Sequence, residues 1–405
     1  MKRILSLMLV IVLAFCLVAC AQKQADPTEP SLSPEEQVLA DRRDAAESYM
    51  RDILTVKWRA AGDIVYQIST GDEFKIVAGR VYCGVPYSFG YSTKTAFLEY
   101  SNEVDEKGIP VISGLTTGAL NGGGSVARIG TDCISTLALA WASIGATLTH
   151  SSTAWVHSEH GYLPVGEYEI QIKDGKMVNT KADILNNGNE TMYKAYAQLQ
   201  KADGMVKYGG STPYAVMVTS VDIVYDTDGN IDPKQSRVNF IEQTRNNQRG
   251  LKAVYDESLG EKVYIIGGLD KSYPFETVAK EGYLPITCKE LIDPAPKDSP
   301  NFLDSEKIFN KDTIFAGVIT TNWSIDTVSV AITDTSGNVL QKISASSKRY
   351  ENQCFELQQF FTDDPGSIRG DVDVDALTSG DYHCTLVVRL VNGQEFTVRD
   401  FDFTV

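Results

Sequence analysis

Cys133 sits in the stretch RIGTDCISTLALAW, directly after Asp132 and at the mouth of an apolar run. A cysteine attacks as its thiolate, and the free amides and macrodipole of a helix N-terminus stabilise that charge. Asp132 is a residue type that caps helices, and Ile134 to Ala142 continue in leucine and alanine, so the thiol belongs in a first helical turn. In that position the Cys133 backbone N–H could donate to a developing oxyanion, as acyl transfer requires. The same residues also describe a cysteine that merely opens a core helix, because a free thiol packs like a small apolar group. The residues alone leave these two readings balanced.

A nucleophilic thiol is normally served by an imidazole. His157 and His160, in TAWVHSEHGYLP, lie on the loop after the Cys133 helix and are candidate bases; surface histidines without a role are the plainer alternative. Their H-x-x-H spacing also admits a metal site with Glu159 or His150. A catalytic zinc needs three converging ligands and only two are supplied locally, so no metal is expected. The segment NGGGSVARIG lacks the Lys-Ser/Thr ending of a phosphate loop and reads as a flexible connection. In DTDGNID, the alternation of Asp226, Asp228, Asn230 and Asp232 imitates a calcium loop. Ile231 stands where such a loop needs glycine and Arg237 where it needs an acid, so a hairpin turn is expected instead. No cofactor is expected.

The elements that must position these residues follow from a chain of 405 residues, 43% hydrophobic and 22% charged, which is long enough for more than one core. A formal charge of −16 with no basic stripe excludes nucleic acid as a partner. Residues 1–20, MKRILSLMLVIVLAFCLVAC, carry Lys2 and Arg3 and then an apolar run, the pattern of an export signal. Its end, Leu17-Val18-Ala19-Cys20, resembles a bacterial lipobox, in which cleavage before Cys20 leaves that thiol for lipid attachment; a plain secretory signal is the alternative. Either way the expected location is extracytoplasmic, and with a lipid on Cys20 the chain is a membrane-anchored lipoprotein. No later segment has the apolar run of a membrane helix.

Residues 21–33 are polar and proline-containing and read as a tether. Ser33-Pro34-Glu35-Glu36 signals a helix start, and the N-terminal helix is assigned to 34–61, running to about Trp58. Residues 62–295 form the larger domain, with a helix-like stretch from Met192 to Leu199, an apolar strand from Tyr214 to Tyr225 and a return strand from Val238 to Gln243. A proline-rich linker, 296–306, precedes residues 307–405. There Val328, Val330 and Ile332, and then Tyr382, Cys384, Leu386, Val388 and Leu390, alternate with polar residues as half-buried strands do, and His383 faces away from the apolar side. An antiparallel β-sandwich of immunoglobulin-like type is expected. Outside the leader the cysteines are Cys83, Cys133, Cys288, Cys354 and Cys384, an odd set, in which Cys354 and Cys384 are close enough in pattern to pair or to stay free.

The set GVPYSFG, GTDCISTLALAW, KADGMVKYGGSTPYAVMVTSV and VNFIEQT resembles the NlpC-type cell-wall cysteine peptidases, permuted relatives of papain-like enzymes, over roughly residues 74 to 290. The resemblance implies an α+β papain-like domain in which the nucleophile's helix packs on an antiparallel sheet. It places Cys133 as nucleophile, Tyr87 in the cleft, and a polar orienter at Glu242 or Gln243. These two are adjacent on a strand, so only one can face the cleft, and Glu242 is preferred. At the position of the family's histidine this sequence has Tyr214, 81 residues after Cys133. A phenol is almost wholly protonated at neutral pH and cannot take a thiol's proton as imidazole does. Asp203-Gly204 also reverses the family's order before that strand.

Family members commonly cut peptidoglycan stems, so the expected activity is that of a lipid-anchored cysteine hydrolase, peptidase or amidase, acting on wall peptides. The alternatives are a catalytically silent member that binds wall peptides or a protein partner, and an anchored adhesin or scaffold in which Cys133 is core. What faces the Cys133 sulfur separates the first two.

Overall fold

The computed structural model describes residues 32–69, 72–88, 90–113, 117–119, 125–127, 130–148, 160–209, 213–246, 250–347, 353–362 and 368–405. The leader, Cys20, His150, His157 and most of the glycine-rich segment lie outside these residues. The chain divides into two units, Met1–Val38 and Leu39–Val405. In the first, Ser33 and Glu36 form the reciprocal cap expected from the sequence, with the Glu36 amide donating to Ser33 Oγ at 3.2 Å and the Ser33 amide to the Glu36 carboxylate at 2.8 Å.

The second unit mixes helices with several sheets. Helix α1, Pro34–Thr55, buries Ala46, Met50, Ile53 and Leu54, a spacing that places one stripe inward. It ends three residues earlier than Trp58, where the sequence reading put its end. The β-branched Thr55 and Val56 break the helical run, and Lys57–Ala60 instead forms a strand with Trp58 opposite Tyr82 and their rings stacked at 5.0 Å. That strand is central in a six-stranded sheet whose order is Lys252–Asp256, Glu261–Ile265, Val81–Cys83, Lys57–Ala60, Pro110–Ile112, Ser101–Val104.

A second six-stranded sheet, antiparallel throughout, carries the residues singled out above. Its strands are β1 (Tyr162–Pro164), β2 (Gly204–Lys207), β3 (Tyr214–Asp222), β4 (Arg237–Glu242), β5 (Leu269–Pro274) and β6 (Leu284–Cys288), in the order β5-β4-β3-β2-β6-β1. Helix α2, Cys133–Ser143, lies against β3 and is apolar nearly all round, as a helix covered on every side must be. Gly204 fits because a Cβ there would stand 2.9 Å from Leu137 and 3.2 Å from Trp141 of α2, so this position sets how closely helix and sheet approach. The strand from Tyr214 ends at Asp222, short of Tyr225. The DTDGN segment is a turn in which the Asp226 carboxylate accepts from the amides of Asp228 and Asn230, both at 2.9 Å, so it is spent on its own backbone.

Residues Ile314 to Phe403 contribute a separate apolar core. It is shared by a five-stranded sheet, ordered Ile368–Asp371, Val339–Ser346, Ile325–Asp334, Asp381–Leu390, Glu395–Thr404, and a three-stranded one of Phe302–Asp304, Val318–Thr321 and Cys354–Glu356. The alternating residues Val328, Val330, Ile332, Cys384, Leu386, Val388 and Leu390 all point into that core. One boundary differs from the sequence reading. Phe302–Asp304, inside the assigned linker, is a strand, because Asp304 holds the fully buried Arg399 guanidinium at 2.6 and 2.9 Å. His383 is half-exposed but held, with its two ring nitrogens 2.8 Å from Asp402 and Asp400. Cys354 is exposed, Cys384 is buried, and both are free thiols.

Candidate functional site

The turn before α2 explains why Cys133 lies where it does. Gly130 has φ +142°, and a Cβ there would stand 2.4 Å from the Pro86 carbonyl oxygen, so only glycine lets the two segments pair. The Thr131 amide then donates to Pro86 at 3.1 Å and the Ser88 amide to Thr131 at 3.3 Å. These bonds hold Tyr87, between Pro86 and Ser88, beside the start of the helix. Asp132 caps α2 by accepting from the Ser135 amide at 2.7 Å, and Thr136 Oγ1 closes the turn on the Asp132 carbonyl at 2.6 Å.

The Cys133 side chain is 2% exposed. Its sulfur lies 4.0 Å from the Tyr87 hydroxyl and accepts a bond from the Ala215 amide at the start of β3. Burial, and then the neighbouring Asp132 carboxylate, push the thiol up to about 12, despite the helix amides that pull the other way. At neutral pH the thiolate is then about one part in 10⁵. Asp132 itself is half-buried, and the loss of water around its carboxyl raises it to about 6, against the amide bonds that lower it. Tyr87 and Tyr214 are both pushed well above the ordinary phenol range, chiefly by burial. Each is a neutral hydroxyl at neutral pH.

Tyr214 opens β3, one residue before the amide that bonds the sulfur, and its hydroxyl interacts with Glu242 and Thr244. Glu242, at the end of β4, is buried and ion-paired with Lys271 of β5. Its neighbour Gln243 points elsewhere, donating to the Val85 carbonyl at 2.8 Å, with its own Oε1 buried and without a partner among the described residues. The alternation along the strand thus sends Glu242 to the cleft and Gln243 beneath the Tyr87 loop. His160 is half-buried next to β1 and does not line the cleft. Among the described residues no imidazole stands beside the sulfur, and no three His, Cys, Asp or Glu side chains form a metal-sized group.

The cleft is a cavity of about 530 Å³ that Tyr87, Tyr214 and Glu242 line together, and Cys133 is not part of its wall. Tyr87, whose hydroxyl is the one near the sulfur, and Tyr214 both face the space a ligand would occupy. Lys207 of β2 is opposite Tyr214 in register, and its ammonium sits 5.5 Å from the Tyr214 ring centre and 4.7 Å from that of Tyr283. The sequence reading did not single out Lys207, Lys271 or Tyr283. Only the pairings of β2 with β3 and β6 and of β4 with β5 bring them to the cleft.

The partly desolvated Asp132 carboxylate gives a pH prediction. Its folded-state value is raised above that of the unfolded chain, so the folded state holds the proton more tightly, and stability contributed by this group is lost as pH rises from about 4 through about 6. Asparagine caps a helix as well as aspartate does. Asp132→Asn is therefore expected to unfold at higher urea than the parent near pH 8, by about 3 kcal/mol, with the difference vanishing near pH 4. An equal difference at both pH values counts against a buried charge at this cap.

No family model matches the chain, and no curated protein matches it in sequence.

Proposed function

We propose that this chain is a catalytically silent relative of the NlpC-type cysteine peptidases that binds wall peptides in the Tyr87–Tyr214–Glu242 cleft, outside the cytoplasm and anchored through a lipid on Cys20. The antiparallel sheet with α2 laid on β3, and Cys133 in the first turn of that helix, support the papain-like reading of the larger domain. The two sheets around the second core support an immunoglobulin-like module after it. The observation that carries silence is the closure of the sulfur: Cys133 is 2% exposed, its thiol is held near 12, and the residues flanking it toward the cleft are phenols. A phenol whose own proton is bound more tightly than usual cannot serve as base at neutral pH.

The test uses the full chain in detergent with peptide stems released from peptidoglycan. Calorimetry is expected to register binding, while mass spectrometry finds the stems intact after prolonged incubation. Cleavage that disappears in Cys133→Ala overturns the silent reading in favour of a hydrolase.

A further inference from the structure

The C-terminal module, built round the second apolar core, meets the larger domain through a set of mostly buried charges. Asp326, on its strand Ile325–Asp334, is 5% exposed and accepts from the Thr93 hydroxyl at 2.9 Å and from Arg389 Nε at 2.8 Å. Thr93 also caps the short helix Lys94–Leu98, accepting from the Ala96 amide at 3.0 Å. At the other end of that helix Glu99 pairs with Arg389 at 2.6 Å and with Arg369, whose guanidinium lies 4.5 Å from the centre of the Tyr100 ring. The module therefore holds the helix at both ends. Val391, just past the strand Asp381–Leu390, is buried in the core of the larger domain and not in the module's own. Trp323 reaches the far end of α2, where a Cβ on Gly145 would stand 3.1 Å from its ring. Removing one partner from a buried pair leaves the other charge uncompensated, so this contact holds firmly while it is complete.

The segment before that helix is the one that closes Cys133. It runs from Val85, whose amide donates to the Ile53 carbonyl of α1 at 2.9 Å, through Tyr87 to Thr93. Between these anchors it pairs with the turn into α2, where the Ser92 amide donates to the Gly130 carbonyl at 2.9 Å and Ser92 Oγ accepts from the Gly130 amide at 3.1 Å. The first anchor lies within the larger domain, and the second is made by the module. A segment held by a handful of backbone bonds opens at low cost once one of its ends is released. We propose that the C-terminal module is a lock on Cys133: docked, it fixes the Tyr87 segment against the start of α2 and closes the sulfur, and undocked, it lets that segment lift and admits thiol reagents. The lock governs access to the sulfur and not what the cleft binds, so its failure leaves the wall-peptide reading standing.

The experiment labels the full chain in detergent with N-ethylmaleimide at pH 8 and follows Cys133 and Cys288 separately by peptide mass spectrometry. Cys288, on β6, is buried in the core of the larger domain and reports unfolding of that domain. Glu99→Gln weakens the hold of both arginines and touches neither apolar core. Combined with Asp326→Ala, it also removes the Thr93 anchor from the module's side, while Thr93 still caps its helix. The combined variant is expected to raise the labelling rate of Cys133 at least tenfold and Glu99→Gln alone several-fold, with Cys288 as slow as in the parent. Acceleration of Cys133 without Cys288 in either variant supports the lock. Should Cys133 stay as slow as the parent's in both, the larger domain closes the sulfur unaided and the inference is overturned. It is equally overturned if Cys288 quickens as much as Cys133 wherever Cys133 quickens, since the variants then merely unfold the domain.

Discussion

Tyr214→His is expected to raise the alkylation rate of Cys133 at neutral pH by about 10² to 10³-fold, and to bring slow hydrolysis of wall peptides with it. The parent thiol titrates near 12 because it is buried and faces Asp132. Thiols paired with an imidazole fall to about 3.5–7.5, which raises the thiolate fraction at pH 7 by up to about five powers of ten. A weaker base is a weaker nucleophile, with a Brønsted slope near 0.4–0.5, so roughly half of that gain in the exponent is given back. The site is prepared for the exchange in one respect: residue 214 already has Glu242 beside it, and a carboxylate there could orient an imidazole. Tyr214→Phe is the control, since it removes the hydroxyl without adding a base, and its thiol should stay as slow as the parent's. A soundly folded Tyr214→His whose Cys133 reacts no faster than the parent's would show that residue 214 does not face the sulfur.

Arg43→Ala should cost about 3–5 kcal/mol of stability, the range for removing one partner of a buried ion pair. The Arg43 guanidinium bonds the Asp203 carboxylate at 2.9 Å and the carbonyls of Lys201 at 2.6 Å and Leu291 at 2.8 Å, so one side chain ties α1 to the segment entering β2 and to the residues after β6. Asp203 is further held by Thr287 at 2.7 Å and by the Gln200 amide at 2.7 Å. Burial raises the Asp203 carboxyl above the usual range even with Arg43 in place. Without the guanidinium the charge would stand alone. Urea denaturation reads the loss directly, and adding Asp203→Asn to Arg43→Ala should recover part of it by removing the uncompensated charge. Parent-like unfolding of Arg43→Ala means the pair contributes nothing to folding. The reversed Asp203-Gly204 order acquires a reason here: the aspartate anchors the N-terminal helix, and the glycine lets β2 pass under α2.

Several features of the site are legible in short windows of sequence, and each depends on interactions among near neighbours. Asp132 caps the helix that begins at Cys133 because its carboxylate reaches an amide three residues on. β3 begins at Tyr214, and the alternation that separates Glu242 from Gln243 is a property of any strand. The strands at Ile325–Asp334 and Asp381–Leu390 follow from a period of two. Boundaries fared less well: the first helix stops at Thr55, and Phe302–Asp304 pairs as a strand inside an expected linker. In both places a partner distant in sequence, Tyr82 for Trp58 and Arg399 for Asp304, decides the outcome.

By itself the sequence determined which residue types were available: one thiol at a helix start, a phenol where an imidazole would be needed, and an acidic chain with no basic run. Tertiary structure alone decided what surrounds them. Lys181, Lys207 and Lys271 are scattered through the chain and line one cavity only because strand register and the helix Thr180–Asn187, whose first residue bonds Tyr208, bring them together. The state of Cys133 was equally out of reach, because a thiol's pKa depends on how completely water is excluded and on charges a few ångströms away. The charge is that of the adjacent Asp132, but the exclusion of water is set by the Pro86–Ser88 segment and by β3, which lie 45 or more residues from Cys133 in the chain.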